Sequence, residues 1–175
     1  MSYTHRWTRS NRLDDATWER IRLDAETALQ LFRVTASDQW RETGHEPVQL
    51  RGPDGRGGPV IAITSIAFNG DAAREASADA FVFPQDARDG SAPAESSATH
   101  PARFTCNTEL HPYDVAVCTV LLIAKHHLGE GLELQSDGAV EEFSWPVARE
   151  VAGTVLRTTA ALENGPDGIR WRADG

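Results

Sequence analysis

Apolar residues recur at helical spacing early in the chain: Trp18, Ile21, Ala25, Ala28, Leu29 and Phe32, with Glu19, Arg22, Glu26 and Arg33 elsewhere on the cylinder. Asp14 is placed to cap this first helix, Leu13 and Trp18 to staple it, and Asp15 to answer its dipole, so the pattern predicts a helix ending near Val34. Between Val48 and Phe83 the pattern changes to short extended runs: Val48 to Arg51, Val60 to Thr64 with a continuation over Ser65 to Phe68, and Ala80 to Pro84. Turn residues 52–59 and the Asn69-Gly70 pair punctuate them, and the connections are too short for crossovers, so this meander is expected to be antiparallel.

The strongest signal runs from Phe104 to Gly138. Phe104 to Cys106 reads as extended. A helix over 112–128 follows, with Pro112 at its first position, Asp114 in its first turn, Lys125-His126-His127 in its last and Gly129 beyond. Val115 to Ala124 is continuously apolar, which makes this helix the most buried one. Leu132 to Gln135 reads as a strand and Ser136-Asp137-Gly138 as a turn. A last helix begins near Ser144-Trp145-Pro146 and carries apolar residues to Leu162, with Gly153 costing it about 1 kcal/mol. The expected fold is α+β: a mostly antiparallel sheet with one βαβ unit and three helices packed on it. Residues 1–164 form a single domain; 85–102, almost without large apolar groups, form a mobile insertion, and 165–175 a flexible tail.

Composition narrows the class of partner. A net charge of −9 and a single lysine, Lys125, argue against a nucleic-acid surface, which needs clustered cations. The longest apolar run is about half of the roughly 20 residues a bilayer requires, and the N-terminus lacks the apolar core of a signal peptide. No membrane partner and a cytoplasmic location are therefore expected. The two cysteines, Cys106 and Cys118, match no disulfide framework or metal spacing.

A right-handed crossover from 104–106 through the helix to 132–135 makes the two strands parallel and brings their carboxyl ends to one edge. Such crevices take ligands, and helix N-termini suit anions. The expected ligand-binding residues are Asn107, Thr108, His111, Tyr113, Ser136 and Asp137. Two sharper chemistries compete with an ordinary polar loop. Cys106 with His111 or His126 and Asp137 has the residue types of a nucleophile, base and orienting acid. His111, His126, His127 and Asp137 are metal-ligand types, yet adjacent histidines point about 100° apart on a helix. The expectation is no catalytic set, no metal and no cofactor.

Phe68-Asn69-Gly70, Phe81-Val82-Phe83, Cys106-x-Thr108 with Pro112-Tyr113-Asp114, and Ser136-Asp137-Gly138 together resemble a family of uncharacterised proteins of bacteriophages and prophages. The likeness covers roughly residues 60 to 160. This chain departs from the family where Asn107 replaces a lysine and Leu110 and His111 replace basic residues, which weakens anion binding at that loop. The resemblance carries no established activity. It leads to the expectation of a small non-enzymatic phage-type accessory protein that binds or sequesters a small anionic ligand such as a nucleotide, as a homo-oligomer. The alternatives are a protein-interaction or particle-associated module and, third, a cysteine-dependent enzyme.

Overall fold

The computed structural model describes residues 2–35, 48–97 and 99–174. Period-two burial defines its main sheet. In β1 (Thr4–Arg9) the side chains of His5, Trp7 and Arg9 are buried; in β6 (Ala102–Asn107) those of Ala102, Phe104 and Cys106; in β7 (Leu132–Ser136) those of Leu132 and Leu134. The intervening residues Arg6, Arg103, Thr105, Glu133 and Gln135 are exposed. With the short β5 (Ala94–Glu95) these strands form a four-stranded sheet in the order β5-β6-β1-β7. Every adjacent pair in it is antiparallel.

The N-terminal strand β1 was not foreseen, and it sits in the middle. Thr4 to Arg9 pairs with Asn107 to Ala102 on one side, and His5 to Arg9 with Ser136 to Leu132 on the other. Since β6 and β7 each run antiparallel to β1, they run in the same direction, as expected of the βαβ unit, but one strand apart. A second sheet, β2-β3-β4, comprises Val60–Ile61, Ser65–Phe68 and Phe81–Pro84. The expected strand at Val48 to Arg51 reduces to an isolated bridge between Arg51 and Asn69.

Among the described residues there are three α-helices: α1 (Asp15–Thr35), α2 (Asp114–Leu128) and α3 (Trp145–Leu156). The fold is α+β with mostly antiparallel sheets. Asp14 caps α1 by accepting from the Thr17 N–H at 2.9 Å, and Leu13 and Trp18 are both buried. In α2 every side chain from Asp114 to Lys125 is buried. Lys125 ends it by donating to the carbonyls of Gly129 and Leu132 at 3.0 and 2.6 Å. The core between helices and sheets is centred on aromatic rings: Trp7 lies 5.4 Å from Phe104 at an interplanar angle of 3°, 5.5 Å from Phe81 and 6.2 Å from Phe83. Arg9 is buried beside them, its guanidinium 4.8 Å from the Phe83 centroid and 4.9 Å from that of Phe104. Burial pulls its pKa down to about 10.

Two expectations are corrected here. The last helix stops at Leu156, with Arg157 in a left-handed C-cap (φ 54°), and does not reach Leu162. The residues expected as a flexible tail instead form a hairpin, β8 (Ala160–Gly165) with β9 (Gly168–Ala173), whose Ile169 is buried against the core. Trp171 donates from its indole N–H to His126 Nδ1 at 3.1 Å, which docks the hairpin on the end of α2. The segment expected as a mobile insertion carries a 3-10 turn at Ala87–Asp89, with Ala87 buried, and the edge strand β5; Ala98 lies outside the described residues.

At Gly168 (φ +114°) an added Cβ would stand 2.3 Å from the Leu134 carbonyl oxygen of β7. Gly168→Ala is therefore expected to cost about 2 kcal/mol or more, through both the backbone conformation and the forced separation of β9 from β7. Chemical denaturation of the variant, with amide exchange in Leu162 to Trp171 as the local readout, measures it.

Candidate functional site

Each predicted rim residue can now be placed. The carboxyl ends of β6 and β7 do lie at one edge of the sheet, and the start of β1 threads between them. Asn107 Oδ1 accepts from the backbone N–H of Tyr3 at 2.9 Å and of Glu109 at 3.2 Å. Asp137 Oδ2 accepts from the Thr4 N–H at 2.9 Å and Oδ1 from Arg6 at 2.7 Å. Tyr113 is buried, and its hydroxyl donates to the Asp79 carbonyl at 2.7 Å. Thr108 is buried and its hydroxyl donates to Asp114. His111 stays half-exposed, 3.7 Å from Glu109. The expected crevice is thus filled by the chain's own first strand, and most of the expected ligand-binding groups hold that strand in place.

The carboxyl of Asp137 is held below its usual range, first by the Arg6 guanidinium and then by the Thr4 N–H, against the opposing effect of partial desolvation. Arg6→Ala is expected to move the Asp137 titration midpoint upward toward the ordinary carboxylate value of about 3.9, as read by carboxyl carbon NMR. In the unaltered protein this clamp contributes stability at pH values above that ordinary value. The contribution is lost as pH falls through the depressed folded value.

The motif blocks converge on this end of the molecule. In Phe68-Asn69-Gly70, Asn69 bonds the Ala78 carbonyl at 3.0 Å. A Cβ on Gly70 would fall 1.7 Å from the Ala76 carbonyl oxygen and 2.9 Å from the Tyr113 ring, so only glycine permits the approach. The loop so formed presents Asp79, whose carboxylate accepts from the Asn107 N–H at 3.0 Å. Cys106 is buried and directs its sulfur at the Asp79 carbonyl, 3.7 Å away. Burial, and next the charges of Asp79 and Asp114, push its thiol well up. A nucleophilic cysteine needs access and a low pKa, and Cys106 has neither.

Beneath the rim lies a buried polar cluster that the sequence reading missed. His5 on β1 meets Asp114, at the start of α2, with 2.8 Å between Nε2 and Oδ1. On its other side, His5 Nδ1 stands 3.1 Å from Ser136 Oγ, which itself donates to the Tyr3 hydroxyl at 3.3 Å. Cys118, one turn along α2, places its sulfur 3.8 Å from His5 Nε2 and 3.7 Å from Asp114 Oδ2. His5, Thr108, Asp114 and Cys118 are all essentially inaccessible to solvent. Burial alone would raise the Asp114 pKa, but the hydrogen bond and charge of His5, with the hydroxyls of Ser144 and Thr108, outweigh it and leave the carboxyl below its usual range. Burial and the charge of Asp114 drive the Cys118 thiol upward.

Strain flanks the cluster. Glu109 and Leu110 adopt consecutive left-handed conformations (φ 53° and 60°), and so does Phe143 (φ 54°), whose ring packs edge-on against Tyr3 at 5.2 Å. Such non-glycine conformations cost roughly 1 kcal/mol or more each and concentrate where a structure fixes functional groups. The histidine pair at the end of α2 goes elsewhere: His126 accepts from Trp171, and His127 Nε2 lies 2.6 Å from Asp24.

A groove of about 700 Å³ opens on the outer face of the four-stranded sheet. Register sets its floor as two cross-strand rows, Glu95–Arg103–Thr8–Glu133 and Thr105–Arg6–Gln135. Arg6 is paired with Asp137, whereas Arg103 has no ion-pair partner among the described residues. No helix of the described residues is long and apolar enough to cross a membrane. Comparison adds no relative: no family model matches the chain, and no curated protein or solved structure matches it either.

Proposed function

We propose that the chain is a small non-enzymatic accessory protein, of the phage type its motif blocks resemble, that binds a nucleotide-like anion on the open face of the sheet. One observation carries the reading: the groove on the outer face of the sheet is floored by two arginines, one without an ion-pair partner among the described residues, beside the hydroxyls of Thr8 and Thr105 and the amide of Gln135. A guanidinium fork suits phosphate oxygens, and the hydroxyl and amide groups suit the polar edges of a base or sugar. Glu95 and Glu133 at the ends of one row select against long polyanions and favour a compact ligand with donors of its own. The groove lies on the face opposite the core and borders the rim through Arg6, so this reading moves the expected site from the crevice to the adjoining sheet surface.

Thermal-shift measurement against mono-, di- and cyclic nucleotides tests it. A ligand at 100 times its Kd adds about 2.7 kcal/mol, a rise of about 5–10 °C for a chain of this size. Arg103→Ala is expected to abolish the shift without altering the melting temperature of the free protein. No shift with any nucleotide, or an equal shift in Arg103→Ala, overturns the proposal.

A further inference from the structure

We propose that His5, Asp114 and Cys118 form a mononuclear site for a zinc-class divalent metal in the core. The three donor atoms come from two elements that the fold brings face to face: His5 from the inner side of β1, Asp114 and Cys118 from positions one turn apart on α2. All lie within 4.8 Å of one another. Around a tetrahedral zinc ion, with bonds of about 2.0–2.3 Å, such donors stand roughly 3.4–3.6 Å apart. The separations from the Cys118 sulfur, 3.8 Å to His5 Nε2 and 3.7 Å to Asp114 Oδ2, are close to that spacing, and the 2.8 Å between Nε2 and Oδ1 has to open by about half an ångström.

The direction of the hydrogen bonds supplies a second, independent argument. With Ser136 donating to the Tyr3 hydroxyl, its oxygen faces His5 as an acceptor, and the matching tautomer places the ring proton on Nδ1. A neutral imidazole in that tautomer points the lone pair of Nε2 at a carboxylate oxygen 2.8 Å away. Two lone pairs at that distance require a cation between them. A second ring proton is one solution. A metal ion is the other, and the Cys118 thiol, which otherwise gives its proton to Asp114 Oδ2 at 3.7 Å, would serve as its third ligand. The surroundings also match a metal site: Nδ1–H is anchored by a hydroxyl oxygen and the carboxylate by the Thr108 hydroxyl, the outer partners that fix ligand orientation. Imidazole with thiolate selects zinc over magnesium or calcium, and full burial means that the ion is taken up as the chain folds.

The test uses the full chain, purified without chelator and separately refolded from denaturant with cobalt(II). The proposal expects about one zinc per chain by elemental analysis and, after refolding with cobalt, an intense near-ultraviolet thiolate-to-metal band. Cys118→Ser, which preserves volume and is checked for folding by circular dichroism, is expected to lose that band. Refolded protein that is native by circular dichroism yet holds no metal overturns the site and leaves the second proton as the cation. Cobalt uptake without a thiolate band, or with an equal band in Cys118→Ser, also overturns it, because the metal would then sit elsewhere. Neither readout involves nucleotide, so failure here leaves the groove reading standing.

Discussion

Trp7→Ala is expected to lower stability by about 3–5 kcal/mol, enough to bring the melting temperature down by about 6–20 °C. Trp7 is 2% exposed and its indole stacks on Phe104 while touching Phe81 and Phe83, so one truncation removes the shared partner of rings from two sheets. The cavity opens beside a buried arginine that relies on the same rings. A single domain commands about 5–15 kcal/mol in all, so the variant stands near the edge of folding at 37 °C. Trp7→Phe is expected to be far milder, because the indole N–H of Trp7 has no hydrogen-bond partner among the described residues and its loss leaves nothing unsatisfied. Equal losses for the two variants, measured by denaturant unfolding, would show that ring stacking is not what the position supplies.

Asp114→Leu should come close behind, at about 3–5 kcal/mol, because it removes the charged partner 2.8 Å from the buried His5 ring and leaves the Thr108 hydroxyl only the Tyr3 carbonyl at 3.5 Å. The informative companion is the double variant His5→Leu/Asp114→Leu. Removing both partners of a buried pair costs far less than removing one, so the double variant is expected to recover much of the loss. A double variant as unstable as the sum of the singles would mean that the two groups act independently and that the cluster is not one unit. The same cycle repeated with a chelator connects it to the metal proposal: a bound ion enlarges the cost of each single change, and the chelator removes that excess.

The central block of the chain was legible because its signals agreed. In α2, length, an acidic first turn, a basic last turn and Gly129 all pointed to one helix, and the helix forms over Asp114–Leu128, two residues later than the expected start at Pro112. The cap and staple of α1 likewise appear where Asp14, Leu13 and Trp18 put them. The hairpin of β8 and β9 carried a readable sign that was passed over. Asn164-Gly165-Pro166-Asp167-Gly168 is turn chemistry, and Ile169 and Trp171 alternate with Arg170 and Arg172 on its far side. Leu162 on β8 also fits the helical spacing of α3, which hides where the helix ends and the hairpin begins.

Strand β1 was a different kind of omission. Its inward positions hold His5, Trp7 and Arg9, so the core side of the central strand looks almost as polar as the outer side, with Thr4, Arg6 and Thr8. Hydrophobic alternation cannot announce a strand whose buried residues are satisfied by hydrogen bonds and ring faces. The same hidden strand altered the candidate site: it occupies the crevice between β6 and β7 and consumes Asn107 and Asp137 as clamps.

Local order along the chain therefore settled the α+β class, the buried helix, its caps and the shared edge of the two co-directional strands, since each depends on residues within a turn or two of one another. Only the tertiary structure decided that a strand from the far N-terminus lies between them, and that His5 meets a carboxylate and a thiol more than a hundred positions away. Periodicity reports which side of an element is dry; it holds no record of which polar groups, distant in sequence, are brought together there to satisfy one another.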